Sequence, residues 1–112
     1  MAAKSPTAKS LAHLRCSGYF ATVVEQWVPG ANIRRDAFGF ADILAVRADR
    51  SGVLFVQTTS RSNMSARRKK ILSIMEASAC VFAGNQIEVH GWEKDVLTIW
   101  FITKEDFLLR GK

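Results

Sequence analysis

Apolar and polar positions along the chain predict a series of strands and helices. Runs rich in β-branched, aromatic and aliphatic residues predict strands at Phe20–Val28, Asp42–Arg47, Val53–Thr59, Gln86–Trp92 and Val96–Thr103. Apolar residues at helical spacing predict a short helix from Leu11 that is closed by Gly18, a longer helix from Met64 to about Ala79, and a terminal helix KEDFLLR. Each predicted element is bounded by turn residues, as in a globular domain.

The second and third strands form the centre of the predicted sheet, because Val53–Thr59 is almost entirely apolar until Gln57. Such a run is typical of a strand buried on both faces. Side chains alternate along a strand, so Phe55, Gln57 and Thr59 share one face. Asp42 opens the neighbouring strand and, in an antiparallel pair, starts near the point where the third strand ends. The pattern therefore brings three polar groups together at one end of an apolar hairpin.

Composition limits the chain to one domain with a substantial core, since 48% of its 112 residues are hydrophobic. Residues 1–10 are expected to form a flexible tail and residues 11–112 the domain. No apolar run approaches the ~20 residues that a membrane-spanning helix needs. Cys16 and Cys80 stand far apart without metal-ligand spacing, which indicates two buried thiols in a reducing, cytoplasmic setting.

The net charge is +6, from 16 Lys and Arg against 10 Asp and Glu, which suits either a polyanionic partner or a soluble surface. Five of these cations and no acid fall between Arg61 and Lys70, where the long helix begins. Cations are unfavourable in the first turn of a helix, whereas a bound phosphate there would be favourable.

Three further residues have two interpretations each. Glu25, near the end of the first strand, either faces solvent or lies beside the central hairpin. His13 is interpreted as a surface or capping residue, and His90 as a packing or hydrogen-bonding residue, with a catalytic role as the alternative for both.

The stretches RRDAFGFADILA (34–45) and VQTTS (56–60) resemble those of the restriction-endonuclease-like, or PD-(D/E)xK, superfamily. The closest resemblance is to small Holliday-junction-resolvase-like members and to phage-type proteins with similar stretches. It covers roughly Leu11 to Trp92. The resemblance implies an α/β (α+β) fold with element order αβββαβ, in which helices flank a mixed central sheet of about five strands.

The resemblance also implies a nuclease whose motif is an Asp, then Glu or Asp, one residue, and Lys. Asp42 matches the first position, while Gln57 and Thr59 stand where the second acid and the lysine belong. Asp42 and Gln57 are then the candidate Mg²⁺ ligands, and Glu25 or Asp36 could supply the missing charge. The missing cation could come from Arg61, Lys69 or Lys70. The candidate DNA-binding residues are Arg34, Arg35, Arg61, Arg67, Arg68, Lys69 and Lys70.

Three functions remain open from the sequence. The first is a metal-dependent nuclease that acts on DNA ends or branched DNA. The second is a nucleic-acid-binding protein that uses the same basic groups without hydrolysis. The third is a protein-interaction domain in which exposed aromatic residues form an oligomer interface. The apolar last strand is a candidate homodimer contact.

Overall fold

The computed structural model describes residues 4–31 and 33–109, and the side chain of Arg34 lies outside that description. The helices are α1 (Pro6–Cys16), α2 (Met64–Leu72), α3 (Met75–Phe82) and α4 (Lys104–Leu109), with a 3-10 turn at Arg61–Asn63 before α2. The strands are β1 (Phe20–Val23), β2 (Gln26–Val28), β3 (Ile33–Arg35), β4 (Ile43–Val46), β5 (Leu54–Ser60), β6 (Gln86–Glu93) and β7 (Val96–Ile102).

Five strands form one mixed sheet in the order β1-β4-β5-β6-β7, and β2 pairs with β3 in a separate two-stranded ribbon. Only the β5–β6 pair of the large sheet is parallel. A parallel pair needs a crossover, which α2 and α3 provide between β5 and β6. The predicted α+β class and the mixed five-stranded sheet flanked by helices are confirmed.

Side-chain alternation along β5 divides the core between the two faces of the sheet. Leu54 and Val56 pack on the face that carries α1, together with Leu14 of that helix. Phe55 belongs to the other core, with Ile71 of α2 and further residues from α3, β6, β7 and α4. Each fully buried aliphatic or aromatic side chain contributes about 1.5–3 kcal/mol. Strand β5 is therefore buried on both faces, as predicted.

Helix α1 starts earlier than expected, so the predicted flexible tail over residues 1–10 is wrong for residues 6–10. Ser5 caps the helix by accepting a hydrogen bond from the backbone N–H of Ala8 at 3.1 Å, and Pro6 occupies the first turn. Ser10, four residues further on, is completely buried. Residues 1–3 and 110–112 of the predicted tail and domain lie outside the described ranges.

Two predicted elements are each divided into two. The strand predicted at Phe20–Val28 leaves the large sheet after Val23, because its second half folds back through the Pro29-Gly30 turn and pairs with Ile33–Arg35. The helix predicted from Met64 to Ala79 is interrupted by Ile74, whose backbone is extended at φ −97 and ψ 121.

The two cysteines differ in environment. Cys80 is buried as expected, whereas Cys16 is exposed because it is the last residue of α1; the expectation of two buried thiols is wrong for Cys16. Within the described residues, no helix has the length and apolar character to cross a membrane.

Candidate metal centre

A cavity of about 210 Å³ opens where β4 begins and β5 ends. It lies between the first turns of two helices, because Pro6 and Thr7 of α1 and Arg67 of α2 all contribute to its wall. We call it the acidic cavity; its lining residues are Pro6, Thr7, Glu25, Asp36, Asp42, Gln57, Thr58 and Arg67.

Strand pairing explains how Asp42 meets Gln57. In the β4–β5 ladder Ile43 lies opposite Val56, so the next step places Asp42 opposite Gln57. The hydrogen bond from Asp42 N to Val56 O, at 2.8 Å, continues the ladder to this point. Directly opposed residues point to the same face of a sheet. The predicted meeting of Asp42 and Gln57 at one end of the hairpin is therefore present.

Two more pairings bring the other carboxylates into the same row. A tight turn closed by the Ala37–Ala41 bridge places Asp36 opposite Asp42. The β2–β3 register places Gln26 opposite Arg35, so Glu25 falls opposite Asp36. These residues reach the cavity from separate parts of the chain, and one ligand atom from each of Glu25, Asp36 and Asp42 lies within 4.8 Å of the others.

The tight turn needs an unusual backbone. Phe38 has φ 56 and Gly39 has φ 81, both in the left-handed region. Glycine adopts this conformation freely, whereas phenylalanine does so at a cost. The bend expected at Gly39 is thus present, and it turns the chain back within five residues so that Asp36 and Asp42 meet.

Asp42 is nearly buried, with 4% of its surface exposed. Three donors converge on its Oδ2: the backbone N–H of Thr58 at 2.7 Å, the Thr58 hydroxyl at 3.0 Å and Gln57 Nε2 at 3.0 Å. The Thr58 hydroxyl is also 2.7 Å from that of Thr7, which ties α1 to the cavity wall. Asp42 is held in one orientation by these contacts.

The surroundings of Asp42 raise its pKa from 3.8 to about 7. Loss of water on burial is the largest cause, and the neighbouring Asp36 carboxyl adds to it, while the hydrogen bonds from Thr58 act in the opposite direction. Clustered carboxylates in a dry site favour either a bound proton or a bound cation, because both reduce the repulsion between them.

Gln57 provides an independent sign that the cavity takes a ligand. The residue is 2% exposed, and its Oε1 has no hydrogen-bond partner among the described residues. The opposite orientation of the amide would place its oxygen against Asp42 Oδ2, and the two oxygens would repel each other. Nε2 therefore faces Asp42, and Oε1 remains without a hydrogen-bond partner among the described residues. An unpaired buried oxygen costs about 1–3 kcal/mol. Amide oxygens are good ligands for hard cations such as Mg²⁺.

Arg67 is the cation at the cavity, and no ion pair joins it to another residue of the described ranges. The three cations expected as replacements for the motif lysine lie elsewhere. Arg61 approaches Glu93 at 3.3 Å, while Lys69 and Lys70 are exposed on α2 and absent from the cavity wall. The sequence indicated Arg67 only as a phosphate contact. The rotation of α2 about its axis decides which member of the basic run faces the carboxylates, and the sequence alone does not fix that rotation.

The other predicted site residues whose side chains the structure describes lie outside the cavity wall. Thr59 is buried in β5 but does not line the cavity, whereas Thr58, which the sequence analysis did not single out, binds Asp42. Arg35 is exposed on the ribbon, and Arg68 pairs with Asp106 at 2.7 Å. The predicted role of the Arg34 side chain falls outside the described residues.

A second polar cluster lies beside the cavity and was not predicted from the sequence. His90 is completely buried, with Nδ1 at 2.9 Å from the Ser10 hydroxyl and Nε2 at 2.9 Å from Glu88 Oε1. Trp92 Nε1 donates to the same Ser10 hydroxyl at 2.8 Å. We call Ser10, Glu88, His90 and Trp92 the histidine cluster. It agrees with the interpretation of His90 as a hydrogen-bonding residue, while His13 is exposed.

Comparison with known proteins gives no relative from which a function could be inferred. No protein-family model matches the chain, and neither a curated protein nor a solved structure matches it. The function must therefore be inferred from the acidic cavity and its surroundings.

Proposed function

We propose that the protein is a metal-dependent nuclease that hydrolyses phosphodiester bonds of DNA at the acidic cavity. The observation that carries this proposal is the row of Glu25, Asp36 and Asp42, with ligand atoms within 4.8 Å of one another beside the unpaired oxygen of Gln57. Several carboxylates and one amide oxygen form the hard oxygen donor set that Mg²⁺ prefers.

The residues present fit a divalent cation, because they are oxygen donors brought close together in a site that holds little water. Burial keeps Asp42 poorly hydrated, and its closest partners are neutral donors from Gln57 and Thr58. Among the described residues that line the cavity, Arg67 is the basic side chain, beside the three acids Glu25, Asp36 and Asp42. Asp42, Asp36, Glu25 and Gln57 would hold the metal, and Thr58 would orient Asp42. When bound, Mg²⁺ supplies Lewis acidity and a more acidic water for attack on phosphorus.

Arg67 would bind the phosphate beside these carboxylates. Its guanidinium can donate two parallel hydrogen bonds to phosphate oxygens and stabilise the charge that develops during cleavage. The position also agrees with the resemblance seen in the sequence, in which a cation accompanies the acids. Asp36 and Glu25 supply the charge that Gln57 lacks, and Arg67 supplies the cation that Thr59 lacks.

The proposal is tested with supercoiled plasmid, linear duplex, single-stranded DNA and four-way junctions in Mg²⁺ or Mn²⁺. Loss of an outer partner of a metal ligand typically costs about 10–100-fold, so loss of a ligand should cost at least the upper end of that range. We expect Asp42→Asn to reduce cleavage by at least about 100-fold. Asp95→Asn is the matched control, because Asp95 is fully exposed on the β6–β7 turn.

Cleavage that survives Asp42→Asn would rule out catalysis at the acidic cavity. The alternative of a non-catalytic nucleic-acid-binding protein predicts a different result: no cleavage by the wild type, with salt-dependent binding that Arg67→Ala weakens. Removal of one phosphate contact lowers the slope of log affinity against log salt by about 1. Arg50→Ala is the control for this measurement, since Arg50 is exposed in the turn at the opposite end of β4 and β5.

A further inference from the structure

The β2–β3 ribbon exposes large apolar side chains beside the acidic cavity. Trp27 is 56% exposed and Ile33 is 49% exposed, although both lie within paired strands. Neither belongs to the two hydrophobic cores. Aromatic side chains are enriched where proteins bind partners. The ribbon therefore presents a surface that the fold does not need for its own core.

The base of this ribbon forms part of the cavity. Glu25 immediately precedes β2 and Asp36 immediately follows β3, and both line the acidic cavity. In an extended chain, residues two positions apart point to the same face, about 6.6–6.8 Å along the strand. Trp27 is two positions from Glu25, so its ring stands on the carboxylate face of the ribbon, one such step from the metal ligands.

This separation suits one nucleotide, whose base and phosphate are joined through a single sugar. We infer that Trp27 is a stacking platform for the unpaired base next to the phosphate at the acidic cavity, so that the substrate is nucleic acid with a single-stranded segment. The inference rests on the proposed function, because it assigns the substrate class of the same site.

The chemistry of the surface favours a single strand over other occupants. Stacking on an aromatic ring needs a base whose face is free, which an intact duplex does not offer, whereas single strands and splayed ends do. Arg67 in the cavity wall adds positive charge beside the carboxylates at one end of the proposed path. A phosphate of the nucleic-acid backbone complements this cation.

The test measures binding of the full chain to a fluorescently labelled 12-nucleotide single strand and to its duplex, in Ca²⁺ to limit cleavage. Base stacking is worth about 1–3 kcal/mol per base, which corresponds to about 5- to 150-fold in affinity. We expect the wild type to prefer the single strand and Trp27→Ala to lower its affinity within that range. Trp27→Phe should retain most of the affinity, because the aromatic face is kept.

Trp100→Ala is the matched control, since Trp100 is a partly exposed tryptophan on β7, at the opposite edge of the sheet from β1. If the wild type binds and cleaves DNA but Trp27→Ala binds the single strand as tightly as Trp100→Ala does, the stacking role is wrong. The proposed nuclease would not be contradicted by that result. Equal wild-type affinity for duplex and single strand would also overturn it. Absence of wild-type binding to any nucleic acid would refute both proposals. A dimer disrupted by Trp27→Ala, with unchanged affinity for DNA, would assign the ribbon to a copy of the chain instead.

Discussion

The acidic cavity and the histidine cluster are two polar sites that lie side by side in the same sheet. Thr58 of the cavity is paired with His90 of the cluster across β5 and β6. Helix α1 covers both, because Thr7 hydrogen bonds with Thr58 and Ser10, three residues later, hydrogen bonds with His90. The two sites therefore lie on neighbouring strands under the same covering helix, and they differ in the chemistry of their side chains.

The histidine cluster satisfies its own hydrogen-bonding groups. The carboxylate of Glu88 accepts from His90 Nε2, so Nδ1 accepts from the Ser10 hydroxyl, which in turn accepts from Trp92 Nε1. Each donor has an acceptor and nothing is left over. Buried networks of this kind are stabilising when complete and costly when broken.

The acidic cavity is not complete in this sense. Its three clustered carboxylates repel one another, and Gln57 Oε1 has no partner within the described residues. A bound cation at the acidic cavity, as proposed above, would relieve these unfavourable interactions, whereas the histidine cluster needs no ligand. The comparison predicts that substitutions in the histidine cluster reduce stability, whereas substitutions in the acidic cavity reduce ligand binding.

The largest expected effect is that of His90→Ala. The substitution removes the partner of the Glu88 carboxylate and of the Ser10 hydroxyl and leaves a cavity in a completely buried site. A buried polar group left without its hydrogen-bond partner costs about 1–3 kcal/mol, and more when the group is charged. We expect the free energy of unfolding, measured by urea denaturation at constant slope, to fall by that amount.

His13→Ala is the matched control for this measurement. The His13 ring lies 6.0 Å from that of His90, but its side chain is exposed, so the expected loss is no more than about 0.5 kcal/mol. A loss below about 1 kcal/mol for His90→Ala would show that the histidine cluster does not stabilise the fold as a closed network.

The second prediction concerns metal ions and Asp36. Without metal, and at a pH above the Asp42 pKa of about 7, Asp36→Asn should stabilise the protein, because it removes one of three neighbouring negative charges while keeping the shape of the side chain. Addition of Mn²⁺ or Mg²⁺ should stabilise the wild type, by about 2.7 kcal/mol when the free ion is at 100 times its dissociation constant. Asp36→Asn should lose most of this gain. Thermal unfolding in EDTA and in metal measures both effects.

Glu88→Gln separates the two sites in the same experiment. It changes a carboxylate in the histidine cluster, so it should lower stability in EDTA and keep the full gain on addition of metal. Metal stabilisation that is equal in Asp36→Asn and the wild type would mean that the ion binds outside the acidic cavity.

Much of the fold could be predicted because long strands have strong signals. Val53–Thr59 is apolar over most of its length, and β5 lies at the centre of the sheet as that pattern indicates. The ribbon could not be predicted, because β2 and β3 have three residues each, too few to show a period. The prediction is wrong for the start of α1 although Ser5-Pro6 is a helix-start signal, because the polar composition of residues 1–10 is also typical of a flexible tail.

The sequence predicts the location of the site at one end of the central hairpin, but it does not predict all the side chains that meet there. Asp42 and Gln57 could be paired by strand alternation alone, whereas the positions of Glu25 and Asp36 depend on two further registers and a left-handed turn at Phe38-Gly39. Alternation also favoured Thr59 over Thr58. At the end of a strand, however, the backbone N–H of Thr58 reaches Asp42, so its hydroxyl follows to the same carboxylate.

The smallest expected effect concerns Asp106, which lies outside both sites. Like the residues of the histidine cluster, its carboxylate has hydrogen-bond partners within the protein. Burial opposes ionisation of Asp106, but the backbone N–H and hydroxyl of Thr103, together with Arg68, outweigh it, so the pKa of Asp106 is lower than 3.8. The ionised carboxylate therefore stabilises the fold at pH values above its ordinary pKa of 3.8. This contribution is lost as the pH falls through the lower pKa of the folded state. We expect Asp106→Asn to lower the free energy of unfolding at neutral pH by no more than about 1 kcal/mol, since the ion pair is partly exposed. Urea denaturation of both proteins should show this deficit at neutral pH and a smaller one at about pH 3, where protonation begins to remove the charge in the wild type as well. A deficit of the same size at both pH values would mean that Asp106 acts through its shape and not through its charge.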